Sequence, residues 1–320
     1  MYKRILSGTL LAVMMMIIAG CGGPADRADG TGDPDRPRIA LIMKSLANEF
    51  FLTMEEGARE HQAAHADQYV LIAEGIQDEL DVNRQIQLVE QMIARQVDAI
   101  VLAPADSMAL VNVCQRAMDA GIVVVNIDNK LDDDVLEERG IRIPFVGPDN
   151  RDGAYQAASY LAGYLEPGDP VAIIGGVPSA FNAIQRRLGF EDAMNEAGME
   201  IVATQSADWE MSRANRVVSA LITEHPNLKA ILCANDSMAL GAVSALRSAG
   251  KLDDVHVIGF DNISAAQELL RNGDLLASVD QHADRLAVFG IEYALEMLES
   301  DIPPDDQETP VDLITAETLD

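Results

Sequence analysis

Short apolar runs alternate with amphipathic stretches along almost the whole chain, and this alternation constrains the fold more than any other feature. Ten runs predict strands, at 38–43, 69–75, 98–104, 122–128, 143–148, 170–176, 200–207, 229–236, 255–261 and 275–281. Most are continuous and rich in valine and isoleucine, which is typical of strands buried on both faces of a parallel sheet. The alternation with helical patterns predicts right-handed βαβ crossovers and helices on both sheet faces.

The strands form two series that divide near residues 147–150. This predicts an α/β chain of two doubly wound, Rossmann-like lobes with parallel sheets. Among the helical patterns, that at 81–96 has apolar residues at spacings of four, three and four. Its predicted buried face consists of Val82, Ile86, Val89 and Ile93.

The first 21 residues have the pattern of an export signal. A basic start, "MYKR", precedes an apolar stretch that is too short for a comfortable membrane span and ends in "IAGC". This ending resembles the lipobox of bacterial lipoproteins, so Cys21 is the predicted lipid acceptor that holds the mature chain on a membrane. An ordinary signal peptide with a chance cysteine is the alternative. Residues 22–37 are rich in Gly, Pro and Asp and predict a disordered tether.

The composition excludes several classes of partner. Asp and Glu number 52 against 23 Lys and Arg, for a net charge of −29, which argues against nucleic acid and against adhesion to anionic lipid surfaces. Solubility is the simplest role of this acidity, with cation binding a minor alternative. Cys114 and Cys233 lie in apolar patterns and are predicted to be small buried residues. No Cys/His cluster has metal-ligand spacing, so neither a metal nor another cofactor is expected.

The residues that close the apolar runs are mostly acids and amides. In open α/β sheets, ligands gather beyond the carboxyl ends of the strands, so these residues are candidates for a shared site. Any one of them alone is explained as a solvated loop end, but a whole series of them favours a shared site. They are Lys44, Ala103, Pro104, Asp106, Asp128, Asn129, Asn235, Asp236, Asp261, Asn262 and Gln281.

These residues favour recognition over catalysis. The chain has no phosphate-loop spacing, no nucleophile elbow and no Ser/His/acid or Cys/His set, and Asp128 with Asp261 is weak evidence for acid–base chemistry. We therefore expect no enzyme. Carboxylates accept hydrogen bonds from hydroxyls, amides both donate and accept, and sugar C–H faces pack on aromatic rings. Aromatic residues make up only 4% of the chain, yet four flank the polar positions: Phe50, Phe51, Trp209 and Phe260. Adjacent helical side chains point about 100° apart, so either both Phe50 and Phe51 wall the ligand at the start of a helix, or one walls it while the other anchors the helix in the lobe.

Seven segments carry a family resemblance in their order and spacing. They are "KSLANEFFLTMEEGA", "VNIDNK", "PDNRDGAYQAASYL", "QRRLGFEDAM", "CANDSMALGAVSAL", "GFDN" and "DQHAD". From about Arg38 to the C-terminus, the chain resembles the bacterial periplasmic sugar-binding proteins of ABC importers, of the ribose-binding type. The resemblance implies a type I periplasmic-binding-protein fold with a three-stranded hinge. Residues 38–148 with 282–310 would form the N-terminal lobe, and 149–281 with 311–320 the C-terminal lobe, with crossovers near 147–150, 281 and 305–312.

The resemblance also implies the ligand contacts. The N-terminal lobe would supply Asn48, Phe50, Phe51 and Asp128, and the second lobe Arg186, Trp209, Asn235, Phe260, Asp261 and Gln281. Lys44 and Ala103 stand where the ribose pattern has a small hydroxyl residue and an asparagine. A different pentose, a hexose, a polyol or an inositol is therefore open. Lys44 either touches the ligand or only pairs with Asp128.

The predicted site has balanced charge, because Lys44 and Arg186 offset Asp128 and Asp261. Such a site suits a neutral ligand better than a sugar phosphate.

From the signal segment and the resemblance, we expect an exported, lipid-anchored monomer on the periplasmic or cell-surface face of a bacterial membrane. It would close on a neutral sugar or polyol and deliver it to the importer's membrane subunits. A ligand sensor that presents sugar to a membrane receptor is the alternative. A repressor core shares the fold, but a signal peptide stands where its DNA-binding helices would be.

Overall fold

The computed structural model describes residues 36–300 and 305–319. The predicted signal peptide, its lipid acceptor Cys21 and nearly all of the predicted tether lie outside the described residues. Within the described ranges, no helix is both long enough and apolar enough to span a membrane.

The described residues form twelve strands and ten α-helices. The strands are β1 (Arg38–Ser45), β2 (Val70–Ile76), β3 (Ala99–Leu102), β4 (Val123–Ile127), β5 (Phe145–Pro148), β6 (Pro170–Gly175), β7 (Glu200–Ser206), β8 (Ala230–Cys233), β9 (His256–Ile258), β10 (Ser278–Asp280), β11 (Gln307–Thr309) and β12 (Asp312–Ile314). The helices are α1 (Glu49–Ala64), α2 (Val82–Ala94), α3 (Val111–Asp119), α4 (Asp133–Arg139), α5 (Asn150–Ala162), α6 (Phe181–Glu196), α7 (Met211–Glu224), α8 (Asp236–Ala249), α9 (Ser264–Asn272) and α10 (Ala283–Glu299).

Two parallel sheets confirm the predicted fold class. The first has the order β11-β5-β4-β3-β1-β2 and the second β7-β6-β8-β9, and every pairing within them is parallel. In both, the first strand of the series lies inside and the second at the edge, as in doubly wound α/β folds. We call the parts built on these sheets the N-terminal and the C-terminal lobe.

The chain passes between the lobes three times. It leaves the first sheet after β5, and α10 returns to pack against α1, β3 and β4. Strand β11 then pairs with β5, while β12 pairs with β10 beside the second sheet. The exact lobe boundaries at residues 148, 281 and 310 stay a prediction, which this topology supports.

Strand β1 shows why a strand that is covered on both faces needs an uninterrupted apolar run. Ile39, Leu41 and Met43 pack into the cluster that includes α1 and α10, whereas Ala40 and Ile42 pack into the cluster that includes α2 and α3. Successive side chains of a strand point to opposite faces, so a sheet covered on both sides needs apolar residues at every position. The predicted burial of Cys114 and Cys233 is also confirmed, and both are free thiols.

Two sequence predictions need correction. The predicted strand at 275–281 forms a regular strand only over β10, which pairs antiparallel with β12, and Ala277 alone bridges in parallel to β9. The run is shared between the second sheet and a crossing between lobes. The buried face of α2 is also rotated by about one residue from the predicted one: its buried residues are Gln85, Leu88, Val89 and Met92.

The rotation of α2 brings the amide of Gln85 into the interior. Its Nε2 donates to the carbonyl oxygens of Met43 (3.1 Å) and Ala103 (2.8 Å), and its Oε1 accepts from the N–H of Ala105 (2.8 Å). These groups lie at the carboxyl ends of β1 and β3, where the ladder hydrogen bonds stop. A buried backbone group without a partner is costly, so a polar residue inside this helix face stabilises the edge on which a site is built.

Candidate ligand-binding site

The backbone concentrates unusual conformations where the strands end. Among the described residues, Asp128, Trp209 and Asp261 have positive φ angles of 61°, 69° and 122°. Non-glycine residues rarely adopt this region, and such strain clusters at functional sites because the surrounding structure holds it. All three were candidate ligand contacts.

A cavity lies between the lobes at the carboxyl ends of the strands. It is small: about 240 Å³ of space lies between the surrounding atoms, part of it open to solvent, which suits one small molecule. Ten of the eleven candidate ligand contacts line it. The lining residues are Lys44, Asn48, Phe50, Phe51, Glu79, Asp128, Asn182, Arg186, Trp209, Asn235, Asp261 and Gln281.

Phe260 is the candidate that does not line this cavity. Its ring is fully buried and lies under the guanidinium of Arg186, 3.7 Å from the ring centroid. It therefore orients a cavity residue from behind instead of forming a wall. Of the two alternatives for Phe50 and Phe51, the structure agrees with a shared role: both are buried, both line the cavity, and their rings meet edge to face with centroids 5.0 Å apart.

In the N-terminal lobe, Lys44 and Asp128 form a buried ion pair. Lys44 Nζ lies 3.0 Å from Asp128 Oδ2, and both side chains are at most 4% exposed. The ammonium also lies 5.4 Å from the ring centroid of Phe51 and 5.6 Å from that of Trp209. Lys44 thus pairs with Asp128 and also faces the cavity, so the two roles left open by the sequence coexist.

In the C-terminal lobe, Arg186 is held by groups on three sides. Its Nε donates to Asn150 Oδ1 (2.8 Å), and its Nη1 donates to the carbonyl of Ala234 (2.8 Å) and lies 3.5 Å from Asp261 Oδ1. Gln281 Nε2 donates to the same Asp261 oxygen at 2.7 Å. Burial raises the pKa of Asp261 well above its usual range, opposed by the charge of Arg186. Burial likewise lowers the pKa of Arg186, against the attraction of Asp261.

Three buried polar atoms on residues that line this cavity lack partners within the described chain. They are Asn182 Oδ1, Arg186 Nη2 and Gln281 Oε1. Leaving such a group unsatisfied costs about 1–3 kcal/mol. The set contains a donor and two acceptors, and hydroxyl groups can satisfy both kinds because they donate and accept.

Glu79 and Asn182 are cavity residues that the sequence reasoning missed. Glu79 lies in the turn after β2, whose carboxyl end was not searched although it belongs to the same sheet edge. Asn182 is in the first turn of α6, just after the "IIGGVPSA" segment, which lacks phosphate-loop spacing. The rule that ligands gather at carboxyl ends could have found Glu79. No local signal distinguished Asn182. In the described part of the chain, no group of three or more His, Cys, Asp or Glu residues is placed to hold a metal.

The N-terminal lobe supplies a cap for helix α6 of the other lobe. The N-cap residue of α6 is Ala180, which has no side-chain acceptor. The N–H of Phe181 instead donates to Ser107 Oγ (3.0 Å), and that of Asn182 donates to Asn129 Oδ1 (3.2 Å). First-turn N–H groups have no partner inside their own helix, so these side chains satisfy them from across the cleft.

Helix α9 shows the same arrangement on the opposite rim. Its N-cap is Ile263, whose side chain cannot accept a hydrogen bond, and the N–H of Ser264 donates to Glu49 Oε1 of the N-terminal lobe at 2.8 Å. Near this contact, Ser237 Oγ donates to Asn48 Oδ1 at 3.5 Å. The lobes therefore meet through hydrogen bonds on both sides of the cavity.

Two doubly wound lobes that enclose a polar cavity at their strand ends define a two-lobed ligand-binding protein. The family model of the periplasmic binding protein domain matches residues 39–301, and the chain belongs to this family. Its fold is the type I fold that the resemblance implied.

Similar proteins are named as sugar-binding components of ABC transporters. The D-ribose/D-allose-binding protein of Pseudomonas aeruginosa is 53% identical over 98% of this chain and 99% of its own length. A solute-binding protein from Burkholderia multivorans, solved with an unknown ligand represented as α-D-erythrofuranose, is 56% identical with a TM-score of 0.86, over 88% of this chain and 99% of that one. A third, from Actinobacillus succinogenes with bound D-allose, is 36% identical with a TM-score of 0.84 over the same shares.

Proposed function

We propose that this protein is the substrate-binding component of an ABC sugar importer and holds one neutral monosaccharide or polyol between its lobes. The observation that carries the proposal is the set of unpaired donors and acceptors around a small cavity that also has aromatic walls. Lys44 and Arg186 balance the carboxylates of Asp128 and Asp261 there, and burial raises the pKa of the third carboxyl group, that of Glu79, to about 7. A charged ligand would therefore have no free counter-ion. A hydroxylated neutral ligand satisfies the unpaired atoms without adding charge.

The cavity residues divide into three roles in this proposal. Asp128 accepts from ligand hydroxyls, and Lys44 both fixes Asp128 and donates to the ligand. Arg186 donates through its unpaired Nη2, and Asp261 accepts. The amides of Asn182, Asn235 and Gln281 complete the polar contacts, with the Asn48 side chain at the rim. Phe50, Phe51 and Trp209 pack against the apolar C–H faces of the sugar ring.

The ligand we favour is an aldose with the ribo configuration. One similar protein is named for D-ribose and D-allose, and another holds D-allose. These two sugars share the configuration at C2, C3 and C4, and the pyranose of D-allose adds a hydroxymethyl group at C5. Lys44 departs from the ribose pattern and lines the cavity, so its contacts are expected to decide between the two.

The protein's place in the cell follows from the same proposal. Periplasmic binding proteins of ABC importers are exported, and we infer that this chain is exported and acts as a monomer. The lipid on Cys21 would keep it beside the importer's membrane subunits. No observation on the structure favours the alternative role of a sensor for a membrane receptor.

A thermal-shift screen followed by calorimetry tests the proposal. D-ribose and D-allose should raise the melting temperature, because a ligand that binds only the folded state stabilises it according to its affinity. Their epimers D-arabinose and D-glucose, together with myo-inositol, test the configuration. If no sugar or polyol raises the melting temperature, the proposed function is wrong. Recovery of the bound sugar in altered form would instead indicate an enzyme.

A further inference from the structure

Glu79 forms part of the wall of the cavity at the mouth of the cleft. It lies in the turn between β2 and α2 and is only 4% exposed. The residue lines the cavity between the lobes and also the adjoining space on the outer side, which Glu210 and Ser237 line as well. A carboxyl group in this position can reach a ligand without leaving its buried setting.

The partners of Glu79 leave its charge poorly compensated. Hydrogen bonding by the Asn48 side chain favours the ionised form of Glu79 and lowers its pKa. The nearby cation, Lys44, lies 3.0 Å from Asp128 and pairs with that carboxylate. The charged groups that face Glu79 are thus one shared cation, Lys44, and two carboxylates, Asp128 and Glu210.

These surroundings favour the protonated form. Burial is the largest influence and raises the pKa of Glu79 from 4.5 to about 7, with Asp128 and Glu210 acting in the same direction and Lys44 and Asn48 against it. An ionised Glu79 would also leave the cavity with an excess negative charge beside a neutral ligand, whereas the protonated form keeps the charges balanced.

We propose that Glu79 contacts the bound sugar as a neutral carboxyl group and donates a hydrogen bond to one of its oxygens. This inference rests on the proposed function and deepens it. It makes Glu79 a specificity residue, and it makes binding proton-linked. A carboxylate can only accept, so deprotonation removes the donor, and a sugar hydroxyl could keep the contact only by turning its own hydrogen away from another acceptor of the cavity, such as Asp128. The complex then requires the proton, and the free protein must take one up before it binds.

Calorimetry across a pH series tests the inference. From about pH 5.5 to about pH 8.5, the affinity of the wild-type protein for D-ribose or D-allose should be constant at first and then fall by up to roughly tenfold per pH unit. Titrations in buffers of different ionisation enthalpy should show proton uptake on binding at the alkaline end. Glu79→Gln keeps a donor that does not titrate, so its affinity should stay near the acidic wild-type value at every pH.

A matched variant, Glu210→Gln, separates the contribution of Glu79 to the pH dependence from that of its neighbour. Glu210→Gln removes a carboxylate that faces Glu79 from outside the cavity, so the pH dependence should remain and its midpoint should move to lower pH. Glu79→Ala should bind more weakly than Glu79→Gln at every pH. A wild-type affinity that is independent of pH or rises with it, or a Glu79→Gln variant with the wild-type slope, would overturn the role of Glu79 alone. A protein that binds no sugar at any pH would overturn the proposed function and this inference with it.

Discussion

The hydrogen bond from the N–H of Phe181 to Ser107 Oγ offers a direct test of how the lobes close. Ser107 belongs to the N-terminal lobe and Phe181 begins helix α6 of the C-terminal lobe, so their 3.0 Å contact exists only while the lobes are together. In a hinge-type binding protein, ligand contacts and contacts between lobes together stabilise the closed form. Ser107→Ala removes the acceptor and leaves the backbone of both lobes unchanged.

The expected size of the effect follows from helix capping. Loss of a serine cap costs about 1 kcal/mol, within a range of roughly 0.5–2 kcal/mol. In the open, free protein this hydrogen bond is absent, so its removal destabilises only the closed complex. The Kd for the sugar should therefore rise about fivefold, since each 1.4 kcal/mol is tenfold. The melting temperature of the free protein should change little.

Asp132→Ala is the matched control. Asp132 Oδ1 accepts from the N–H of Val135 at 2.9 Å and caps α4 within the N-terminal lobe. Its removal should lower the melting temperature of the free protein and leave the Kd unchanged. Calorimetry and small-angle scattering with and without sugar measure both quantities. If Ser107→Ala binds like the wild type but loses thermal stability as Asp132→Ala does, the contact also exists in the free protein and the reasoning is refuted.

Three further predictions follow from the buried charges. Asp128→Asn should weaken sugar binding by about 1.5–3 kcal/mol, roughly ten- to a hundredfold in Kd, because it removes a charged acceptor for ligand hydroxyls, and it should also lower the free energy of unfolding, because it leaves the buried Lys44 without its counter-ion; unchanged affinity in calorimetry would contradict this. Arg186→Ala should abolish binding and also lower the unfolding free energy by about 3–5 kcal/mol in denaturant titration, since it leaves Asp261 buried and unpaired; wild-type stability would argue against a structural role. The pKa of Glu79 is raised on folding from 4.5 to about 7, so its contribution to stability is complete below about pH 4.5 and is lost as the pH rises through about 7. The free wild-type protein should accordingly lose stability on the order of 3 kcal/mol across that interval, and Glu79→Gln should lose less.

The expected effect of Arg186→Ala shows how the structure changes a sequence-based view. From the sequence, Arg186 is only an expected ligand contact of the second lobe. In the structure, its guanidinium also binds Asn150 and the Ala234 carbonyl and lies over the ring of Phe260. A side chain that fills a buried position between three elements is part of the core as well as of the site.

The sequence by itself determined the strand series, the two lobes and most of the cavity. Uninterrupted apolar runs allow only sheets covered on both faces, and the polar residues that end these runs must then meet at one edge. Lys44, Asp128, Asp261 and Gln281 could be chosen on this ground, because their position in the chain fixes the edge at which they lie.

Only the tertiary structure determined the features that depend on which side chains approach one another and how they are oriented. Whether Phe260 forms a wall or supports Arg186 is set by the direction of one ring, which the chain order does not encode. The caps that Ser107 and Glu49 provide join segments that are distant in sequence, and no local pattern marks them. The pKa of Glu79 is raised by its burial beside Asp128 and Glu210. These three residues lie in separate loops that the fold brings together. Period and composition are local properties, whereas desolvation and contact across a cleft arise only once the lobes are assembled.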